Sequence, residues 1–289
     1  MKNSGIQNQS NYQFKEPFIS VNIENLANED LLLLKKMSLL PSVEIEFSFL
    51  KRVIQNVRRG KVNFLVKEGW LIKKGDTYKL PESLKAFILE NYQPTLEEME
   101  KPVKFFSNLL KNSYATDSGM VLEEYISYFD SIDIILNRLR FFNETVIEFW
   151  NSLGLVYKEN GFLNEALPYF VKVIKINEKI FGIKHEATVV SYHNLASLYS
   201  LMGEYKKAES VYVKVVALTE ELFGKEHVNM LTSLNNLAGV YHSMGEYGRA
   251  EPLYLNVIEM SKKMLGEEHL DTKIYMKNLE KLYVLVEKS

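Results

Sequence analysis

The stretch that decides the fold is GKEHVNMLTSLNNLAGVYHSMGEYGRAEPLY, from Gly224 to Tyr254. Nearly the same order of residues stands 42 positions earlier, from Gly182 to Tyr212, as GIKHEATVVSYHNLASLYSLMGEYKKAESVY. Both copies contain G-x-x-H, then N-L-A-x-x-Y, then G-x-x-x-x-A. A sequence that repeats at a fixed spacing predicts stacked copies of one structural element.

Identical residues continue at this spacing over three full copies and part of a fourth. The recurring positions are Gly161, Gly203 and Gly245; Ala166, Ala208 and Ala250; Leu153, Leu195, Leu237 and Leu279; Tyr157, Tyr199, Tyr241 and Tyr283; Asn194, Asn236 and Asn278; and His185, His227 and His269. Together they predict a repeat architecture from about Glu144 to Ser289.

Each copy has the apolar spacing of a helix hairpin. Leu231, Leu234 and Tyr241 follow the three-and-four rhythm of one helix face, and Gly245 is expected to end that helix. A second helix follows as far as Gly266, and a last one over Lys273–Lys288 is expected to cover the end of the stack. One hairpin cannot bury its apolar faces alone, so neighbouring hairpins must pack against each other.

These copies resemble tetratricopeptide repeats of the longer, 42-residue kind that kinesin light chains and many bacterial regulatory proteins contain. The resemblance implies a superhelical stack whose first helices line a concave groove for a peptide or protein segment.

One stripe of each first helix is predicted to face this groove. The candidate partner-binding residues are Asn151, His193, Asn194, Ser197, Asn235, Asn236, His242, Lys277 and Lys281. An asparagine amide both donates and accepts hydrogen bonds, which suits an extended peptide backbone of any sequence. The alternative for the recurring Asn194, Asn236 and Asn278 is that they bond neighbouring loops and hold the repeats in register.

The recurring histidines are predicted to be turn residues. Packed helices lie about 8–10 Å apart, and zinc ligands lie about 2 Å from the metal. One histidine per repeat therefore cannot converge on a single ion, and we predict no metal site.

Residues Asn28 to Tyr92 have a different rhythm. Three helices are expected: one capped by Asn28 and ended by Pro41, one over Phe49–Arg58, and one over Lys61–Glu68. WLIKKGDTYKL then reads as a two-stranded hairpin, and Pro81 begins a fourth helix. Three helices followed by a hairpin predict a winged helix.

The segments LLKKMSLLPSVEI and LVKEGWLIKKGDTYKL resemble the winged-helix module of STAND-type, NLR-like signalling NTPases, in which helical repeats commonly follow. That family's nucleotide-sensing histidine after the wing aligns with Leu80-Pro81-Glu82, and no phosphate-binding G-x-x-x-x-G-K-[ST] motif is found. No nucleotide-binding residue is therefore carried over, and no cofactor is predicted.

The fold class predicted is mainly α, with an N-terminal winged helix followed by an α-α superhelical solenoid. The predicted domains are a polar segment 1–27, a winged-helix domain 28–95, connecting helices 96–142 and a solenoid 143–289. The chain contains no cysteine, its first residues lack the apolar core of a signal peptide, and it has no long apolar run. We expect a cytoplasmic protein without a membrane span.

The function predicted is non-catalytic recognition of a protein or peptide in the groove, in a sensor or adaptor of STAND-like type, with bacterial defence among the roles that the resemblance implies. We predict no catalytic residue, since no motif of a nucleophile or a metalloenzyme is present.

The alternative is a DNA-binding regulator in which the repeats act as the sensor. Lys51 to Lys79 carries a net charge of +7 within a chain of net charge -2. The candidate surface for nucleic acid or an acidic partner consists of Arg58, Arg59, Lys61, Lys67, Lys73 and Lys74. The oligomeric state stays open.

Overall fold

A computed structural model describes residues 26–54, 56–113, 118–140 and 142–286. Contacts divide the chain into two parts. The N-terminal part comprises the described residues as far as Leu109 together with Glu123–Val146. The repeat part comprises Leu110–Leu122 and the residues from Ile147 onward. The polar segment predicted at 1–27 lies almost wholly outside the described residues, and the predicted domain boundaries stay predictions.

The N-terminal part combines short helices with a small sheet. Its first elements are α1 (Asn28–Met37), β1 (Ile45–Glu46), α2 (Phe47–Val53), α3 (Arg59–Lys67), β2 (Ile72–Lys74), β3 (Thr77–Lys79) and α4 (Glu82–Asn91). The three strands form an antiparallel sheet in the order β1-β3-β2, with Tyr78 opposite both Ile45 and Lys73. The predicted hairpin is therefore present, and β1 adds a third strand that the sequence did not reveal.

Two local predictions in this region were wrong. Asn28 does not cap the first helix, because it is already helical and the extended Ala27 precedes it without a side-chain cap. The second helix ends at Val53 instead of continuing to Arg58. Ile54 is extended, and Asn56 has a left-handed backbone with φ 65° that asparagine tolerates better than most residues.

Two longer helices follow, α5 (Leu96–Ser113) and α6 (Ser118–Leu139). Their residues as far as Leu109 and from Glu123 onward belong to the N-terminal part. The ring of Phe49 on α2 lies 6.3 Å from Phe106 on α5 and stacks 5.8 Å from Tyr125 on α6. Aromatic side chains bury large apolar areas, so this cluster attaches α2 to both long helices.

A buried lysine also holds this part together. The Lys85 ammonium on α4 donates to the backbone oxygen of Leu40 at 2.9 Å and to the Ser131 hydroxyl on α6 at 2.8 Å. Burial lowers the pKa of Lys85. Because a buried ammonium is costly without partners, these two bonds fix α4 between the end of α1 and α6.

The repeat part is a succession of helix hairpins, which confirms the helical solenoid predicted from the repeat. Its helices are α7 (Glu144–Glu159), α8 (Leu163–Phe181), α9 (Glu186–Leu201), α10 (Tyr205–Phe223), α11 (Val228–Ser243), α12 (Tyr247–Met264) and α13 (Leu270–Val286). We call α7, α9, α11 and α13 the first helices, and α8, α10 and α12 the second helices.

Small residues allow the two helices of a hairpin to approach. Ala238 on α11 and Ala250 on α12 are completely buried in one cluster with Tyr212 and Tyr254. The turn between these helices depends on Gly245, whose φ of 74° is strained for residues with a side chain. The amide of the next residue, Glu246, donates back to the carbonyl of Tyr241 at 2.9 Å, which satisfies a free carbonyl at the helix end.

The recurring histidines lie in turns, as predicted, and begin the first helices. The Nδ1 atoms of His185, His227 and His269 each accept a hydrogen bond of 3.2 Å from the amide two residues later. The rings of His185 and His227 also stack 4.6 Å from Phe181 and Phe223. Each histidine thus satisfies a backbone donor that the helix start leaves free.

We predict that His227→Ala destabilises the repeat part by about 0.5–2 kcal/mol, the usual effect of losing a helix cap. Asparagine also accepts from the backbone at this position, so His227→Asn should retain most of the stability. Urea unfolding followed by circular dichroism measures both variants. Equal stability of His227→Ala and the wild type would show that the cap contributes nothing.

Candidate functional site

All nine groove candidates lie on the first helices. Positions 151, 193, 235 and 277 are equivalent, and each is followed by the equivalent position 152, 194, 236 or 278. These side chains therefore occupy corresponding positions on successive first helices, where neighbouring repeats meet.

Three hydrogen bonds join these positions from helix to helix, and we call them the amide ladder. The Nδ2 atom of Asn194 donates to the Oδ1 atom of Asn151 at 3.0 Å. The Nδ2 atom of Asn278 donates to the Oδ1 atom of Asn235 at 3.0 Å. Between them, the Nδ2 atom of Asn236 lies 3.2 Å from the Nε2 atom of His193. Each of the three bonds joins a residue to one placed 43 positions later, in the next repeat.

The middle bond depends on a neutral histidine. If the Asn236 amide donates, the Nε2 atom of His193 must carry a lone pair, since a protonated imidazole has only donors. Burial, followed by the charge of Lys158, lowers the pKa of His193 and favours the neutral form. Asn235 also donates to the Oδ1 atom of Asn236 at 3.3 Å, which connects the second and third bonds of the ladder.

The ladder leaves hydrogen-bonding capacity free. A carboxamide has two N–H donors and an oxygen with two lone pairs, so one inter-repeat bond occupies only part of it. The bonds join neighbouring helices. The alternative predicted from the sequence, in which the recurring asparagines bond neighbouring loops, therefore differs in its bonding partners. Recognition of a partner by the same amides stays a prediction. Lys277 is exposed, and its ammonium group contains only hydrogen-bond donors. It therefore cannot accept a ladder bond as Asn151, His193 and Asn235 do.

A cavity of about 410 Å³ opens beside the ladder, and we call it the ladder cavity. Five of the nine candidates line it: Ser197, Asn235, Asn236, His242 and Lys281. His193 lines a second cavity of about 230 Å³, together with residues that include Val190 and Thr219. Asn151, Asn194 and Lys277 line neither of the two cavities.

The second helices also contribute to the ladder cavity, which was not predicted from the sequence. Tyr212 and Tyr254 reach the ladder cavity from α10 and α12. Burial raises the pKa of each hydroxyl to about 12. Phe170, Tyr212 and Tyr254 recur at the repeat spacing, so the signal was present, but an aromatic residue at that spacing is also what a helix core requires.

The predicted basic surface is partly neutralised by the protein itself. Arg59 is paired through two bonds with Asp76 and lies 4.4 Å above the ring of Phe47. Lys61 pairs with Glu29 and Asp30. Lys74 pairs with Glu44 at 3.2 Å.

Arg58, Lys67 and Lys73 are exposed, and within the described part of the chain no carboxylate pairs with them. Lys73 is 3.5 Å from the side-chain oxygen of Asn63. Half of the six candidates therefore keep their charge available for a partner.

Comparison with protein families decides the nature of the repeat part. The model of the tetratricopeptide repeat matches residues 145–221, 192–263 and 229–289, which together reach across half of the chain. The chain belongs to the tetratricopeptide repeat family. A comparison with curated protein sequences finds no match.

Solved structures with TM-scores above 0.5 share this fold at low sequence identity. The chain is similar to a putative kinesin light chain from Podosopora anserina, with 21% identity, 66% of this chain and 89% of that one covered, and a TM-score of 0.57. It is also similar to BtubC (BKLC) from P. vanneervenii, with 15% sequence identity and a TM-score of 0.55. That match covers 71% of this chain and 80% of BtubC. A STAND protein with a tetratricopeptide repeat sensor, PH0952 from Pyrococcus horikoshii, matches with 18% sequence identity and a TM-score of 0.44. That match covers 91% of this chain and 48% of PH0952.

Neither a membrane-spanning helix nor a metal-binding group occurs among the residues that the structure describes. Among them, no helix combines the length and the apolar character that crossing a membrane demands. The same residues contain no group of three or more His, Cys, Asp or Glu side chains placed to hold a metal ion.

We predict that the amide ladder couples neighbouring repeats energetically. Asn151→Ala and Asn194→Ala each remove one side of the same bond, so the double variant should be less destabilised than the two single effects together by about 0.5–1.5 kcal/mol. Asn151 and Asn278 lie in non-adjacent repeats and make no bond with each other. The effects of Asn151→Ala and Asn278→Ala on the free energy of unfolding should therefore be additive, and this pair serves as the control. Urea unfolding of the four chains of each cycle measures the coupling, and additivity in both cycles would refute it.

Proposed function

We propose that the repeat part is a non-catalytic recognition module that binds a protein or peptide segment along its first helices. The observation that carries this proposal is the ladder cavity, where amides with free hydrogen-bonding capacity lie beside an open volume of about 410 Å³. Tetratricopeptide repeats are in general scaffolds for protein interaction, which supports the proposal.

The side chains around the ladder suit a peptide. Carboxamides pair with backbone N–H and C=O groups whatever the sequence of the ligand. Exposed apolar residues on the same helices, Val190, Leu201 and Ile274, offer contacts to ligand side chains. A rigid helical stack is also preorganised, so most of the ordering cost of binding falls on the partner.

We propose further that the N-terminal part is a winged helix in a cytoplasmic sensor or adaptor of STAND-like, NLR-like type, with a role in bacterial defence. The element order α1-β1-α2-α3-β2-β3 and the sheet order β1-β3-β2 support a winged helix. The ion pairs of Arg59, Lys61 and Lys74 indicate that much of its basic surface is engaged within the protein. Such a surface favours a protein partner over the DNA backbone.

Site-specific photo-crosslinking tests the binding face. We expect benzoylphenylalanine at position 201, whose leucine is exposed and lines the ladder cavity, to give a discrete adduct in native lysate. The same probe at position 213 should give none, since Val213 is similarly exposed on the second helix α10 and does not line the cavity. Nuclease treatment should leave the adduct unchanged.

A cavity-filling variant, with a matched control at a second helical glycine, tests whether the partner occupies the ladder cavity. Gly239 is helical, and an added Cβ would lie at an ordinary 3.6 Å from the Tyr254 hydroxyl, so Gly239→Leu fills the cavity without straining the backbone. It should abolish the adduct, whereas Gly248→Leu, at a helical glycine with open space around it, should not. Adducts of equal strength from positions 201 and 213, or an adduct that survives Gly239→Leu, would refute binding in this cavity.

The second candidate function is DNA binding, which the unpaired cations Arg58, Lys67 and Lys73 favour. Phosphate contacts supply most of the affinity of such proteins. We expect no shift of duplex DNA by the full chain in an electrophoretic assay at about 100 mM salt. A shift that Arg58→Glu with Lys67→Glu removes, while Lys184→Glu on the repeat part leaves it intact, would instead favour the DNA-binding regulator.

A further inference from the structure

At the end of α11, a tyrosine and a glutamate together hold one arginine of the protein, and we call these two residues, Tyr241 and Glu209, the inner pair. The guanidinium of Arg249 lies 3.8 Å above the ring of Tyr241 and donates to its hydroxyl. The same group pairs at 2.8 Å with Glu209, which lies on the second helix of the preceding repeat. It also pairs with Glu246, three residues earlier, at 2.5 Å. A planar guanidinium can stack on a ring and bond a carboxylate at the same time.

The same two residue types recur 42 positions later, and we call Tyr283 and Glu251 the outer pair. The Tyr283 hydroxyl on α13 donates to the Glu251 carboxylate on α12 at 2.7 Å. Tyr241, which Arg249 covers, is 5% exposed, whereas Tyr283 is 40% exposed. Among the described residues, no lysine or arginine lies over the Tyr283 ring or pairs with Glu251. The outer pair therefore has the components of the inner pair without its cation.

The tyrosine of the preceding repeat shows that the glutamate matters. The Lys207 ammonium lies 5.6 Å from the centre of the Tyr199 ring, and Leu167 occupies the position that is glutamate in the inner and outer pairs. The closer contact with arginine thus accompanies the combination of tyrosine and glutamate. A guanidinium has several N–H donors in one plane and is more weakly hydrated than an ammonium, so it suits a ring and a carboxylate placed side by side.

The neighbouring surface of α13 does not suit another helix hairpin. Leu231 and Ala238 on α11 are completely buried by the helices around them. The equivalent positions on α13 carry Lys273 and Glu280, which are exposed. A hairpin stacked in the manner of the repeats would bury these charges, which is costly. This argues against a second copy of the chain stacked as an additional repeat and favours a single side chain from a segment of another protein.

We propose that the outer pair binds an arginine side chain of a partner protein. The Tyr283 ring lies under the guanidinium, and the Glu251 carboxylate accepts from it, as the inner pair does with Arg249. A tyrosine hydroxyl donates one hydrogen bond and also accepts, so Tyr283 can keep its bond to Glu251 while it accepts from the arginine. Neither residue of the outer pair lines the ladder cavity, so this site is separate from the binding face of the proposed function.

Peptides that differ in one side chain test the site by NMR on the full chain. The probes are acetylated and amidated Ala-Ala-Arg-Ala-Ala and the matched peptides with citrulline, which is neutral and similar in shape, or with lysine. We expect the arginine peptide to shift the Tyr283 ring signals saturably and to bind about fivefold more tightly than the citrulline peptide. The lysine peptide should also bind more weakly than the arginine peptide.

Three results with these peptides count against the proposal. Tyr283 signals that the arginine peptide leaves unchanged overturn it. Equal affinities for arginine and citrulline overturn the role of charge, and equal affinities for arginine and lysine overturn the assignment to a guanidinium.

Two variants each remove one member of the outer pair. Glu251→Gln, followed at the Tyr283 ring, and Tyr283→Leu, followed at the backbone amide of Glu251, should each weaken the arginine peptide by about fivefold. Glu259→Gln removes an exposed carboxylate from the same helix, about two turns away, and should leave the affinity unchanged. Circular dichroism checks that each variant keeps its fold. Equal affinities of Glu251→Gln and Glu259→Gln, or of Tyr283→Leu and the wild type, overturn the assignment.

Sedimentation of the full chain tests the source of the arginine. The wild type and Glu251→Gln should have the same state of association. Self-association that Glu251→Gln abolishes would assign the arginine to a second copy and overturn the assignment to a partner protein. If position 201 gives its discrete adduct while Tyr283 ignores every peptide, the proposed function stands and this inference fails.

Discussion

The packing of one helix hairpin against the next is the constraint on which this structure depends. Leu231, Leu237 and Ala238 on α11 are buried only because α10, α12 and α13 cover them. A single hairpin would leave much of this surface in water, at a cost of about 25 cal/mol for each Å² of apolar area. The repeats therefore fold as a stack or not at all, and the small residues at the helix crossings set how closely they approach.

Stacking brings polar side chains together as well as apolar ones. The amide ladder lies at the seam between repeats, where Asn194, Asn236 and Asn278 meet residues of the preceding repeat. The recurring asparagine is the constant member of each pair, whereas its partner changes from Asn151 to His193 to Asn235. Structural and recognition roles are compatible at one seam, because a carboxamide that holds the neighbouring repeat still has free donors and acceptors.

The predictability of the fold from the sequence depended on how regular the local signal was. The helices of the repeat part were predictable because glycines, alanines and apolar residues recur every 42 positions and each copy supports the others. In the N-terminal part the hairpin around Gly75 was found, but the strand Ile45–Glu46 was not, since two residues show no alternation. The end of α2 was misplaced because Asn56 adopts a left-handed backbone that its sequence context does not reveal.

The sequence by itself determined that the second half is a stack of helix hairpins, that its histidines occupy turns, and which side of each first helix carries polar residues. These properties follow from local spacing and from the backbone preferences of glycine. Only the tertiary structure decided that Asn236 bonds His193, that Tyr254 reaches a cavity beside Gly239, and that Lys281 lies beside His242. Such contacts join residues of different helices, and their geometry depends on the rotation between repeats, which no local pattern specifies.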